Sequence, residues 1–166
     1  MVIEQVGAFI VGYLIGFLPV MAYGQYRYWR RKKIQETIVK RKADILEKGH
    51  WFRVRYSSED RFHSWFKWFP WEGTGILFMD KESVTFFCDM KEWNYNYMFI
   101  PENSKVKWIG RSIWRNGLAY WFAVIDPGEN HYFTSETGLT IFGSKKSTQE
   151  IYDELKKIFS DSNIAQ

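Results

Sequence analysis

The chain has 166 residues, a fifth of them aromatic, with a formal charge of +4 and one cysteine. A lone cysteine excludes an intramolecular disulfide and a thiolate metal cluster. Nine Lys or Arg stand against three Asp or Glu between Gln25 and Gly49, whereas 14 bases face 15 acids beyond it, so the main domain lacks the basic balance of a nucleic-acid binder.

Val6 to Tyr23 is an uncharged run of 18 positions. As an α-helix it would measure about 27 Å, close to the hydrocarbon thickness of a bilayer. Arg27, Arg30, Arg31, Lys32 and Lys33 follow at once, the order of a membrane span whose C-terminal side is cytosolic. A cleaved signal peptide would need a basic start, and MVIEQ has none. Residues 1–24 are therefore expected to form a single transmembrane helix, N-terminus outside, with Pro19 tolerated inside it. Gly12 and Gly16 have the spacing that lets two helix backbones approach closely, the mark of packing against a second copy or another subunit.

Residues 25–49 read as a basic juxtamembrane helix. Ile34, Ile38, Ile45 and Leu46 recur at helical spacing and Gly49 supplies a stop. Two readings stand side by side: an amphipathic helix lying on a membrane, or a charged linker helix packed on the next domain. On the first, Arg27, Arg30, Arg31, Lys32 and Lys33 would contact anionic lipid head groups, at about 1 kcal/mol each.

Residues 50–166 form the main domain. HWFRVRYS from His50 has the alternation of a strand. Trp65, Phe66, Trp68 and Trp71 crowd the next stretch, where Pro70 argues against a central strand. These aromatics either plug one end of the core or form a loop that meets a partner or a membrane interface. From Gly73 the strands become regular, with tight turns at Asp80–Ser83 and Asp126–Asn130, a break at Ile100–Pro101, and a short last strand over Leu139–Phe142. Ser147 with Glu150 has capping-box spacing, and Ile151, Leu155, Ile158 and Phe159 mark one face of a terminal helix. The sum is a mainly-β domain of about seven strands closed by one helix.

The hydrophobic types at Gly75–Met79 and Val84–Phe87, then Phe99–Pro101 before Val106, then Trp121–Val124 and Tyr132–Phe133, resemble the pleckstrin-homology superfold and especially its GRAM-like branch. That resemblance spans roughly Gly73 to Phe159. It implies a seven-strand barrel or sandwich with a C-terminal helix, used to bind proteins or lipids without catalysis. Arg53 and Arg55 lie on the first strand, but Glu59 and Asp60 follow them, so no phosphoinositide pocket of converging bases is evident.

Catalytic patterns are thin. The run from Gly138 to Ser147 fails as a phosphate loop because Ser144, not Lys, follows the second glycine. His50, His63 and His131 are scattered, with no metal-ligand spacing. Cys88 ends an apolar strand and reads as a small buried hydrophobe. The leading expectation is a non-enzymatic, single-pass membrane protein whose cytosolic domain docks proteins as an accessory or scaffold subunit, or as a homodimer, with Trp65, Phe66, Trp68 and Trp71 as docking residues and no cofactor or metal. A membrane-tethered lipid-binding or lipid-sensing domain is the second reading. A small membrane enzyme using Cys88 or the histidines is the third, and it requires at least two of those side chains in one cleft.

Overall fold

A computed structural model describes residues 2–64, 71–90, 93–111, 118–138 and 144–161, with the side chains of 2–11, 13, 14, 89, 90, 93–95 and 161 outside that description. The N-terminal helix α1 runs without a break from Val2 to Arg41, through Pro19, and a single turn, α2 (Ala43–Leu46), ends it. Strand β1 (His50–Ser57) and a short helix α3 (Glu59–His63) come next. Strands β2 (Gly73–Met79), β3 (Val84–Met90), β4 (Trp93–Phe99), β5 (Lys105–Gly110), β6 (Trp121–Ile125) and β7 (Asn130–Ser135) lead to the terminal helix α4 (Lys145–Asp161).

The seven strands form one curled antiparallel sheet in the order β4-β3-β2-β1-β7-β6-β5. Period-2 alternation sorts side chains onto its two faces. On β2, Leu77 and Met79 enter the main core, while Ile76 and Phe78 point the other way, under α1. The concave face gathers Val54, Phe86, Phe99, Phe122 and Phe133, and α4 closes over them with Ile151, Leu155 and Phe159. On the convex face, Ile38 and Leu46 cover β2 and β3, and Phe62 of α3 covers β6 and β7 beside Trp121 and Tyr132. All seven residues of β2 are buried, with α1 on one side of it and the main core on the other.

The expected transmembrane helix is not supported. Among the described residues no helix is long and apolar enough to cross a membrane. The expected localisation, N-terminus outside and the rest cytosolic, falls with it. Of the two readings of residues 25–49, the packed helix holds: Ile34, Ile38, Val39 and Leu46 lie against the sheet. The strand expected at Leu139–Phe142 lies outside the described residues. Ser147 is not the cap of α4. Ser144 accepts the Ser147 N–H on Oγ at 3.1 Å, so the helix starts three residues earlier.

One glycine on β2 is required by close packing. A Cβ on Gly75 would overlap the Phe87 carbonyl oxygen and press on the Phe86 ring. Because the obstacle is ladder backbone, it cannot step aside cheaply. Gly75→Ala should therefore cost about 1–3 kcal/mol, read as a lower urea midpoint at unchanged slope.

Candidate docking surface and its polar brace

The seat of α1 on the sheet is polar at its centre. Glu136 follows β7, and its N–H donates to the Arg53 carbonyl at 3.0 Å, extending the β1–β7 ladder by one pair. Its carboxylate takes two guanidinium groups. Arg31 of α1 donates from Nε to Oε2 at 2.9 Å, and Arg55 of β1 donates from Nη2 to Oε1 at 2.7 Å. Gly138, at φ +81°, turns the chain so that its carbonyl accepts from both arginines at 3.0 Å. Trp71 stacks beneath, its ring centre 4.4 Å from the Arg55 guanidinium and 5.5 Å from that of Arg31. Next to this brace, Gln35 donates to Thr74 Oγ1 at 2.7 Å, and Thr74 donates on to the Val54 carbonyl.

Burial by itself would raise the Glu136 carboxyl; the Arg55 charge and hydrogen bond, then Arg31, outweigh it and hold the group below the usual carboxylate range. Burial pulls Arg55 downward against Glu136, but a guanidinium with so high a starting value stays charged. Two cations therefore share one anion in a site from which water is largely removed.

N-terminal to the brace, α1 carries apolar side chains that are largely exposed. Ile15, Phe17, Leu18, Val20, Met21, Tyr23, Tyr26 and Trp29 are all exposed, Ile15 and Trp29 to 69%. At about 100° per residue these positions go all the way round the helix. Among the described residues nothing lies within 4 Å of where a Cβ on Gly12 or Gly16 would stand.

The sequence-derived site residues separate accordingly. Arg31, expected among head-group contacts, is buried on Glu136. Arg30, Lys32 and Lys33 are exposed and Arg27 is half-buried. Trp71, expected to dock a partner, is 3% exposed and occupied by the two guanidinium groups. Trp65, Phe66 and Trp68 lie outside the described residues. The brace itself was missed. Its only sequence signal is Arg55, a charge on the face of β1 opposite Val54 and Tyr56.

The histidines and the cysteine do not converge. His50 meets Glu154 at 3.2 Å on the surface, His63 meets the Tyr132 hydroxyl at 3.0 Å, and buried Cys88 donates to the Thr74 carbonyl at 3.5 Å. No metal-holding group of three or more His, Cys, Asp or Glu occurs among the described residues. His50 and Glu154 border a groove of about 780 Å³ at the end of the sheet where β2 turns into β3. Lys48, Lys81 and Lys157 there are balanced by Asp80, Glu82, Glu102 and Glu154, a rim that selects neither sign of charge.

His131 lies on the concave side, its Nδ1 3.2 Å from the Tyr56 hydroxyl and its ring 4.4 Å from that of Tyr97. Burial pulls its pKa below 6.5 against Asp126 and Glu59, which push it up, and burial also raises Tyr56. A histidine depressed on folding binds more protons unfolded than folded, so stability falls as pH drops through its unfolded value of about 6.5 and on to the lower folded one. The urea midpoint should fall between pH 7 and pH 5. His131→Gln should flatten that fall.

No protein-family model matches the chain, and no curated protein matches it. A curled seven-strand sheet with a C-terminal helix is compatible with the pleckstrin-homology superfold without establishing it.

Proposed function

We propose that this chain is a non-catalytic docking subunit: a β domain, read as pleckstrin-homology-like, that holds out an apolar helix for insertion among the helices of a partner protein. The observation that carries this reading is the exposed apolar girdle of α1 from Ile15 to Trp29. Contiguous apolar surface of that extent marks an interaction site. A helix apolar on every side is stable when surrounded, so one partner helix on one face would leave most of the girdle wet. Open backbone at Gly12 and Gly16 permits close approach of a neighbouring helix. The brace anchors the shaft, so a force on the exposed half is transmitted to the sheet.

The test is affinity capture of the tagged full chain under native conditions. A stoichiometric protein companion supports the reading, and a chain that runs as a bare monomer at micromolar concentration contradicts it. Size-exclusion chromatography with light scattering separates a hetero-complex from a homodimer.

A further inference from the structure

Where α1 crosses the start of β2 it leaves a crevice of about 270 Å³, walled by Tyr23, Tyr26, Arg27, Arg30 and Arg31 on the helix and by Trp71 on the sheet side. Three guanidinium groups face one carboxylate there, Glu72, whose Oε1 is occupied by the Ser58 N–H at 2.7 Å. Immediately behind, Arg55 adds a fourth cation and Glu136 a second anion. Four positive groups against two negative ones leave a surplus of two charges beside a recess of low polarizability. Arg30 is exposed and forms no hydrogen bond or ion pair among the described residues. Such a surplus attracts anionic oxygens, which arginine's planar fork binds bidentately.

Position narrows the ligand. Tyr23 and Tyr26 belong both to this crevice and to the apolar girdle, so a protein lying along the helix reaches the crevice without a separate encounter. A volume of about 270 Å³ accommodates one or two acidic side chains and no bulky cofactor. We propose that the crevice takes a carboxylate-bearing segment of the docked partner, Arg27 and Arg30 binding the acid while Arg31, fixed on Glu136, sets the local positive field. This inference rests on the docking reading and adds the chemistry of the partner: an apolar helical groove with acidic residues at its rim.

The experiment measures binding of labelled hexaglutamate to the full chain at low salt, with hexaglutamine as the uncharged control. Arg27→Gln with Arg30→Gln should weaken hexaglutamate binding about tenfold or more. Lys32→Gln with Lys33→Gln removes the same charge from the same helix outside the crevice, and should change binding less than about threefold. Equal losses in the two variants, or hexaglutamate binding no better than hexaglutamine, overturn the inference. Tighter capture of O-phosphotyrosine than of hexaglutamate also overturns it, in favour of a phosphoryl ligand. Leu18→Asp keeps the two readings separate. It should abolish partner capture and leave hexaglutamate binding intact, whereas loss of crevice binding with capture retained rejects the crevice alone.

Discussion

Replacing Glu136 with leucine should cost the fold about 3–5 kcal/mol, because it removes the carboxylate that pairs with two buried guanidinium groups. Arg55 is wholly buried and Arg31 nearly so, so neither can turn to water without lifting α1 or opening β1. Against a total stability of about 5–15 kcal/mol, that is a large fraction. Arg55→Met alone should cost less, since Arg31 would still neutralise the carboxylate. A triple variant with Arg31→Met, Arg55→Met and Glu136→Leu should recover most of the loss, because apolar groups of similar volume replace a buried ion cluster at little cost. Urea denaturation at pH 7 checks the series. The acid limb gives an independent sign. Glu136 is depressed on folding, so its contribution is full above the ordinary carboxylate value of about 4.5 and is lost as pH falls through the lower folded one. The triple variant should lack that part of the acid transition.

Leu18→Asp together with Met21→Asp should cut partner association by about 10² or more while leaving the melting temperature of the β domain unchanged. Both side chains are exposed and belong to none of the fold's buried clusters, so the free chain loses no packing. In a complex each carboxylate would be buried without a partner, at about 3 kcal/mol or more per site. Gly16→Leu tests a different property of the same segment. It adds apolar area but blocks close approach, so weakened association from this variant identifies backbone packing, and unchanged association identifies side-chain burial alone.

Local pattern carried much of the fold. The unbroken apolar run Ile76–Met79 fits a strand buried on both faces, and in the structure Leu77 and Met79 enter the main core while Ile76 and Phe78 lie under α1. The turn at Asp80–Ser83 was legible because an aspartate can close it, and Asp80 Oδ1 accepts the Glu82 and Ser83 N–H groups at 2.8 and 2.7 Å. Cys88 was legible as a small buried hydrophobe, although β3 continues past it to Met90. The brace was not, because its members come from three elements and 81 residues separate Arg55 from Glu136. Nothing local distinguishes Arg31 from its exposed neighbour Arg30, and only the sheet beneath decides which one is buried. Trp71 was misread for the same reason: an aromatic after Pro70 looks available until two guanidinium groups occupy its face. The span read from Val6–Tyr23 is not supported, since among the described residues no helix is long and apolar enough to cross a membrane.

The central claim, that another protein surrounds the exposed half of α1, is tested most directly by labelling Leu18→Cys with a maleimide. Cys88, the only native cysteine, is buried, so the introduced thiol reports alone, and Met98→Cys on exposed β4 serves as the open reference. In the natively isolated assembly the Leu18→Cys thiol should react about 10² times more slowly than the Met98→Cys thiol, and the two should react alike once the partner is stripped away. Equal rates in the intact assembly, or protection that survives removal of every other polypeptide, would contradict the account.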